Sequence, residues 1–355
     1  LYPKSKARSS MSKQIANDDW CWKPFSELPC NPYQLENSLA GFRCLLVFPT
    51  QGKDLSRDDY PIAFGYFASL LRMNGGHADI LVYDVTHYEA TQFSDYDLIC
   101  FYPMTASFER LIELPAQVKR DNPNTPICFV NSEQHQHEMI LCTPKAHDFG
   151  VALLHNIAEI DFVLIGEAEA AFVQLCDKLA RGNADFETLP ACLYRKDKQI
   201  KTSTGKIQSV DFEYLPYPAR DHLESGINED GFNVRSPRIQ SARGCVAPCL
   251  YCVEASSNIT AGGRRKPLLR RSVASFIDEI ELLQAQHRVF FFNVIDSSFE
   301  DTGSRGIERM ESFCDEMLRR DIHASFKIHL RAETVCKLSD EQIDKLKRAG
   351  VDIIG

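Results

Sequence analysis

Twice along this chain, short apolar runs alternate with segments of helical spacing, and that alternation restricts the fold more than any other feature. In the first half, apolar runs fall at 43–48, 78–83, 98–102, 127–130 and 162–165. Residues 63–74 carry Phe64, Phe67, Leu70 and Leu71 at helical spacing, and Gly75-Gly76 ends that helix. Further helices are predicted over 108–120 and from near Glu167. Strands that alternate with helices build a mostly parallel sheet wound on both faces. Ligands of such sheets lie beyond the carboxyl ends of the strands. A second series starts at Pro237, with strands over 238–242, 289–295, 325–330 and 351–354. Its helices are a Ser272-capped segment bearing Phe276, Ile277, Ile280 and Leu283, then 307–320 and 340–349.

The expected organisation follows. Residues 1–40, aromatic and punctuated by proline, form a leader. Residues 41–182 form the doubly wound domain, 183–236 a linker, and 237–355 a partial, incomplete β/α barrel. Within the linker, 193–196 and 199–202 pair as a small hairpin, and Leu215-Pro216-Tyr217-Pro218 reads as extended chain. The second series stops at Gly355 as its fourth strand completes, which reads as a fragment or as a barrel whose remaining wall a partner supplies.

Composition excludes several classes. A net charge of -9 gives no basic surface for nucleic acid. No stretch of about 18 apolar residues is present, so no membrane-spanning helix is expected. The first ten residues are polar and basic, without the apolar core of a secretion signal, and Met11 reads as the natural start. An odd total of 13 cysteines without such a signal points to the reducing cytoplasm. Cysteines inside apolar runs, Cys44 and Cys128 among them, read as small buried hydrophobes.

Three cysteines stand apart. Cys245, Cys249 and Cys252 lie in Arg243-Gly244-Cys245-Val246-Ala247-Pro248-Cys249-Leu250-Tyr251-Cys252, a C-x3-C-x2-C spacing. A closed structural zinc site takes four ligands, and a cubane [4Fe-4S] cluster is usually held by four cysteines. Three in one tight loop fit a cluster with one iron left open to a small molecule. The residues also admit a zinc knuckle with a remote fourth ligand, or three thiols without metal.

This run resembles the cluster loop of radical S-adenosylmethionine (SAM) enzymes. In that family the open iron chelates SAM, and an electron from the cluster cleaves SAM to a 5′-deoxyadenosyl radical. The resemblance places Tyr251 near the adenine. Asp296-Ser297-Ser298-Phe299 resembles the Asp-rich strand end of the cobalamin-linked members. There Asp296 either meets cofactor or substrate at the barrel mouth or caps the next loop. Arg331 resembles the arginine that binds the SAM carboxylate, against a surface salt bridge as the plain alternative. The basic stretch Gly262-Gly263-Arg264-Arg265-Lys266 with Arg270-Arg271 reads as a solvated face.

The first half resembles the cobalamin-binding domains fused to such barrels. Its marks are the run from Pro61 to His77 with Gly65, Asp84 at the second strand end, Met104-Thr105 after the third, and Gly166-Glu167-Ala168-Glu169 after the fifth. The resemblance makes Gly65, Asp84, Thr105, Gly166 and Glu167 cofactor-binding candidates. Gly166 also suits a tight turn, and Glu167 and Glu169 suit a helix N-terminus. One departure stands out: where the family has Gly-Gly-x-His, this chain has Asn131-Ser132-Glu133-Gln134-His135-Gln136-His137. The D-x-H-x-x-G signature of histidine-ligated cobalamin is absent too, so neither His135 nor His137 is read as a cobalt ligand.

The resemblance as a whole implies a cobalamin-dependent radical SAM enzyme, most simply a methyltransferase acting on an unactivated carbon. It implies a [4Fe-4S] cluster, SAM, cobalamin, and a low-potential electron donor such as flavodoxin or ferredoxin. Rearrangement or cyclisation, methylthiotransfer, and a non-catalytic cluster- or cobalamin-binding sensor are the alternatives.

Overall fold

The computed structural model describes residues 31, 33–50, 62–84, 88–103, 108–131, 140–143, 145–205, 211, 214–226, 228, 231, 233–245, 247, 249–252, 268–300 and 304–355. The chain forms two compact units that divide between Ala219 and Arg220.

The first unit runs β1 (Arg43–Thr50), α1 (Ile62–Met73), β2 (His77–Asp84), β3 (Leu98–Phe101), α2 (Phe108–Leu111), α3 (Leu114–Asp121), β4 (Ile127–Val130), α4 (Ala146–Asn156), β5 (Phe162–Leu164), α5 (Glu169–Ala180), β6 (Cys192–Lys196) and β7 (Gln199–Thr202). All seven strands share one sheet in the order β2-β1-β3-β4-β5-β6-β7. The first five are parallel. The order reverses between β1 and β3, the switch point where doubly wound sheets open a crevice.

Both faces are covered, so the strands read as continuous apolar runs rather than alternating ones. On one face Val47, Phe101 and Phe129 pack with Val118 of α3 and Leu153 of α4. On the other, Phe67 of α1 and Phe172 of α5 stack with centroids 4.9 Å apart. Cys44 of β1 and Cys100 of β3 are buried with their sulfurs 3.9 Å apart. Burial pushes the Cys44 thiol up to about 11. Cys100 and Cys128 are raised by the same cause.

Three details differ from the sequence expectations. The helix over 108–120 is two helices, because Pro115 has no N–H for a bond to the Leu111 carbonyl and restarts the chain in the first turn of α3. The helix α4 was not foreseen. Gly150 lies within it, where an added Cβ would meet Leu193 Cδ1 at 2.6 Å and Val163 Cγ1 at 3.2 Å, so this glycine lets α4 lie close on the sheet. The hairpin expected within a linker instead extends the sheet, β6 pairing antiparallel with β5 and burying Cys192, Leu193 and Tyr194.

The second unit runs β8 (Arg238–Ile239), β9 (Ala242–Arg243), β10 (Leu269–Arg270), α6 (Val273–His287), β11 (Phe291–Val294), α7 (Ser304–Arg319), β12 (Ser325–Ile328), α8 (Ala332–Val335), α9 (Asp340–Arg348) and β13 (Val351–Ile354). Its main sheet, β13-β12-β11-β8, is wholly parallel and follows chain order, as in a partial β/α barrel. A separate antiparallel ladder joins β9 to β10. Ser272 caps α6 as its sequence indicates, its hydroxyl accepting from the Ser275 N–H at 3.1 Å. Ser339 and Gln342 form a capping box on α9. Phe276, Phe299, Phe313 and Phe326 form a chain of ring contacts through the core.

Candidate functional site

Because β8, β11 and β12 run parallel, the segments that follow them leave the same edge of the sheet. Those segments carry the cysteine loop, Asp296 and Arg331. Cys245, Cys249 and Cys252 are half-buried thiols, whereas the other described cysteines are buried except the exposed Cys336. The loop turns tightly, with Cys252 N–H donating to the Cys249 carbonyl at 3.2 Å and Ala247 N–H to Cys245 Sγ at 3.4 Å. Leu250 and Tyr251 project into solvent. The Cys249 sulfur beside Tyr251 pushes its phenol up from the ordinary value.

The donor set fits an iron–sulfur cluster: three accessible thiols on one short loop. Among the described residues, no three His, Cys, Asp or Glu side chains are gathered tightly enough to grip one metal ion.

Asp296 lies two residues beyond β11 and is 1% exposed. Oδ1 accepts from the N–H groups of Ser241 at 2.8 Å and Ala242 at 3.0 Å, and Oδ2 accepts from the Ser241 hydroxyl. Burial raises its pKa although these donors and Arg270 pull the other way. It therefore braces the chain before the cysteine loop, not the loop that follows it.

Arg331 caps α8 and is 30% exposed. Its Nε donates to Glu300 Oε1 at 2.8 Å, and its own N–H and the Thr334 hydroxyl donate to the same oxygen, each at 3.0 Å. Burial alone would lift the Glu300 pKa, but Ser298 and Arg331 beside it outweigh that and hold the group low. Glu300 thus fixes one edge of the Arg331 guanidinium.

Sequence reading missed Glu300 and a buried ion cluster on α6. Glu279 of α6 pairs with Arg220 at 2.8 Å and with Arg271. Arg220 also donates to the Arg238 carbonyl at 2.7 Å, and Arg271 to the Gln240 carbonyl at 3.1 Å. Arg271 is 1% exposed, which corrects its assignment to a solvated basic face. Arg270 donates to the carbonyls of Phe299 and Glu300. Residues 262–266 of that stretch lie outside the described residues. The signal for Glu279 was present: it lies three residues after Phe276 and four before Leu283, on the apolar stripe of α6. An acid there requires a buried cation.

In the first unit, Asp84 ends β2 and pairs in register with Thr50 at the end of β1. Gly166 follows β5 with φ +77°, and a Cβ there would meet nothing within 4 Å, so its conformation explains the glycine. Its N–H donates to the Leu141 carbonyl at 2.7 Å. Glu167 precedes α5, and Glu169 opens it, fully buried. Gly65 meets the chain itself: an added Cβ would lie 2.8 Å from the Ala219 carbonyl oxygen and 2.9 Å from Pro218 Cβ. Thr105 and residues 132–137 lie outside the described residues.

No protein-family model matches the chain. Among curated proteins it is similar to cytidylyl-2-hydroxyethylphosphonate methyltransferase of Streptomyces wedmorensis, 23% identical over 303 residues, which are 73% of this chain and 55% of that protein. It is also similar to an uncharacterized methyltransferase of Pyrococcus horikoshii, 27% identical over 51% of this chain and 38% of that protein. The chain therefore spans about half or less of the length of these relatives. Among solved structures it matches TsrM of Kitasatospora setae, a radical SAM methyltransferase with cobalamin and a [4Fe-4S] cluster bound. The TM-score is 0.59 at 17% identity, covering 87% of this chain and 57% of that one. It matches OxsB, a cobalamin-dependent SAM radical enzyme with aqua-cobalamin and SAM bound, at TM-score 0.63 and 15% identity, covering 88% and 43%. At these identities the structures show the fold, a doubly wound sheet followed by a partial β/α barrel, and the resemblance read from the motifs is borne out at that level.

Proposed function

We propose that this chain is the core of a cobalamin-dependent radical SAM enzyme that methylates an unactivated carbon. The observation that carries the reading is three accessible thiols on one loop, at the carboxyl edge of a parallel half-barrel, in a chain that shares its fold with TsrM and OxsB. Cys245, Cys249 and Cys252 would hold the cluster. When bound, the cluster, SAM and cobalamin supply the radical and the methyl group; the protein positions them and excludes water.

The remaining roles follow from chemistry at each position. The guanidinium of Arg331, fixed along one edge by Glu300, offers its terminal N–H groups to a carboxylate such as that of SAM. Tyr251 offers an exposed ring beside the cysteines for stacking on a base. Asp84 ends β2, and Gly166 and Glu167 follow β5, at the edge where a doubly wound sheet takes its ligand; Thr105 is a further candidate from the sequence pattern alone. The electron donor is a low-potential protein of the flavodoxin or ferredoxin kind. No helix among the described residues is long and apolar enough to cross a membrane. The thiol-rich composition suits the reducing cytoplasm.

The test is anaerobic reconstitution with iron, sulfide and cobalamin, followed by SAM and a low-potential reductant. The expected products, quantified by mass spectrometry, are 5′-deoxyadenosine and S-adenosylhomocysteine, both lost on Cys249→Ala. Neither product from a protein with its cluster formed would overturn the reading in favour of a sensor.

A further inference from the structure

The chain enters the cysteine loop from β9 and comes back at β10, and these two strands pair as one neck. The ladder that closes this neck has only two residue pairs, Arg243 with Leu269 and Ala242 with Arg270. So short a ladder specifies its register weakly, and a slip of one residue turns every side chain to the opposite face. Buried charge surrounds it on each side.

On the outgoing arm, Ser241 and Ala242 send three donors into the carboxylate of Asp296. On the returning arm, Arg271 donates its backbone N–H to the Ser241 carbonyl at 2.9 Å. Its guanidinium is held by Glu279 and donates to the carbonyls of Gln240 at 3.1 Å and Ser275 at 2.8 Å. Arg309 of α7 touches both arms, donating at 3.2 Å to the Arg271 carbonyl and at 3.2 Å to the Ser241 hydroxyl.

We propose that Asp296, with Ser241 and the Glu279–Arg271 pair, is a positioning clamp that fixes the neck of the cysteine loop and so sets the stance of Cys245, Cys249 and Cys252. This rests on reading those cysteines as cluster ligands. Cys245 lies three residues beyond Ala242, a reach of at most about 11 Å, so a shift at the clamp passes directly to the first ligand. Apolar side chains would close the neck with less desolvation cost than these charges. What the charges add is a single register, because the donors on both arms meet acceptors held at fixed places on α6 and beyond β11.

The experiment compares wild type with Ser241→Ala and Asp296→Asn, and with Ile280→Val as a control lesion in the adjoining core. Each protein is reconstituted anaerobically with iron and sulfide and challenged with an iron chelator. The rate of cluster loss is read by absorbance, and the reduced cluster by electron paramagnetic resonance. The urea midpoint of each apo-protein is measured in parallel. Perturbing groups that orient metal ligands typically costs 10–100-fold in affinity, so both clamp variants are expected to lose the cluster about tenfold faster than a control of equal apo stability, with a changed spectrum. Equal loss rates in clamp variants and control would overturn the clamp, as would unchanged spectra. If Asp296→Asn fails to fold, Ser241→Ala decides alone, since it removes one hydroxyl. A wild type that takes up no iron would overturn the cluster reading itself, a result distinct from failure of the clamp.

Discussion

Replacing Glu279 by glutamine tests how much of the second unit hangs on one carboxylate. Glu279 is 1% exposed between Arg220 at 6% and Arg271 at 1%. Glu279→Gln keeps the shape and removes the negative charge that faces both buried guanidiniums. Removing one partner of a buried pair costs about 3–5 kcal/mol. For a unit of this size that lowers the melting temperature by about 10–15 °C. Asp278, one residue earlier on α6, is the natural control. It pairs with Arg320 at 2.7 Å near the surface, and Arg320 keeps Glu316 and Glu281 if Asp278 is lost. Asp278→Asn should cost under about 1 kcal/mol. The assay is urea unfolding, with hydrogen exchange on peptides from α6 and β11 to isolate the second unit. Acidity supplies a second signature. Burial raises the Glu279 pKa, but Arg271 and Arg220 outweigh it and hold the group below its ordinary 4.5. An acid with a depressed folded pKa stabilises above its unfolded value, and that contribution fades as pH falls through the folded value. The gap between wild type and Glu279→Gln should therefore be full near neutrality and shrink below about pH 4.5. A loss under about 1 kcal/mol at neutral pH, or a gap that widens in acid, would refute the argument.

Two further predictions concern the thiols and a glycine. In the native apo-protein at pH 8, iodoacetamide should label Cys245, Cys249, Cys252 and Cys336 within minutes and leave Cys44, Cys100, Cys128 and Cys176 unlabelled, because burial raises the latter pKa values and hides the sulfurs. Peptide mass mapping reads this directly, and rapid labelling of Cys44 would contradict the fold. Gly65→Ala forces a Cβ against the Ala219 carbonyl oxygen and Pro218, so it should destabilise the first unit by about 1–3 kcal/mol even without cofactor. A variant as stable as wild type in the apo state, yet impaired in binding cobalamin, would instead return Gly65 to the cofactor.

The strands and the cysteine loop were legible because their signals are local. The apolar run at 127–130 matches β4 residue for residue, since a strand buried on both faces has no polar position to blur its ends. The final strand matches β13 as well, although only Val351 of its four residues is buried. The helix α4 was missed because Gly150 and Val151 interrupt its pattern, and the reason for Gly150 lies on β5 and β6, far along the chain. Pro115 was visible, but its consequence depended on reading the helix from the proline backwards to the Leu111 carbonyl.

Asp296 marks the limit of that kind of reading. Its place at a strand end was plain from the sequence, and the strand end suggested a side chain facing ligand. The direction it faces is set by partners 54 and 55 residues away, and the direction of Arg220 by one 59 residues away. No spacing rule reaches so far. What the sequence did offer was a mismatch, an acid on the apolar stripe of α6, and a mismatch of that kind demands a partner without naming it. The cysteines declare the chemistry because their spacing is the geometry of the site. The residues beneath them become visible only once the sheet has brought both arms of the loop to one place.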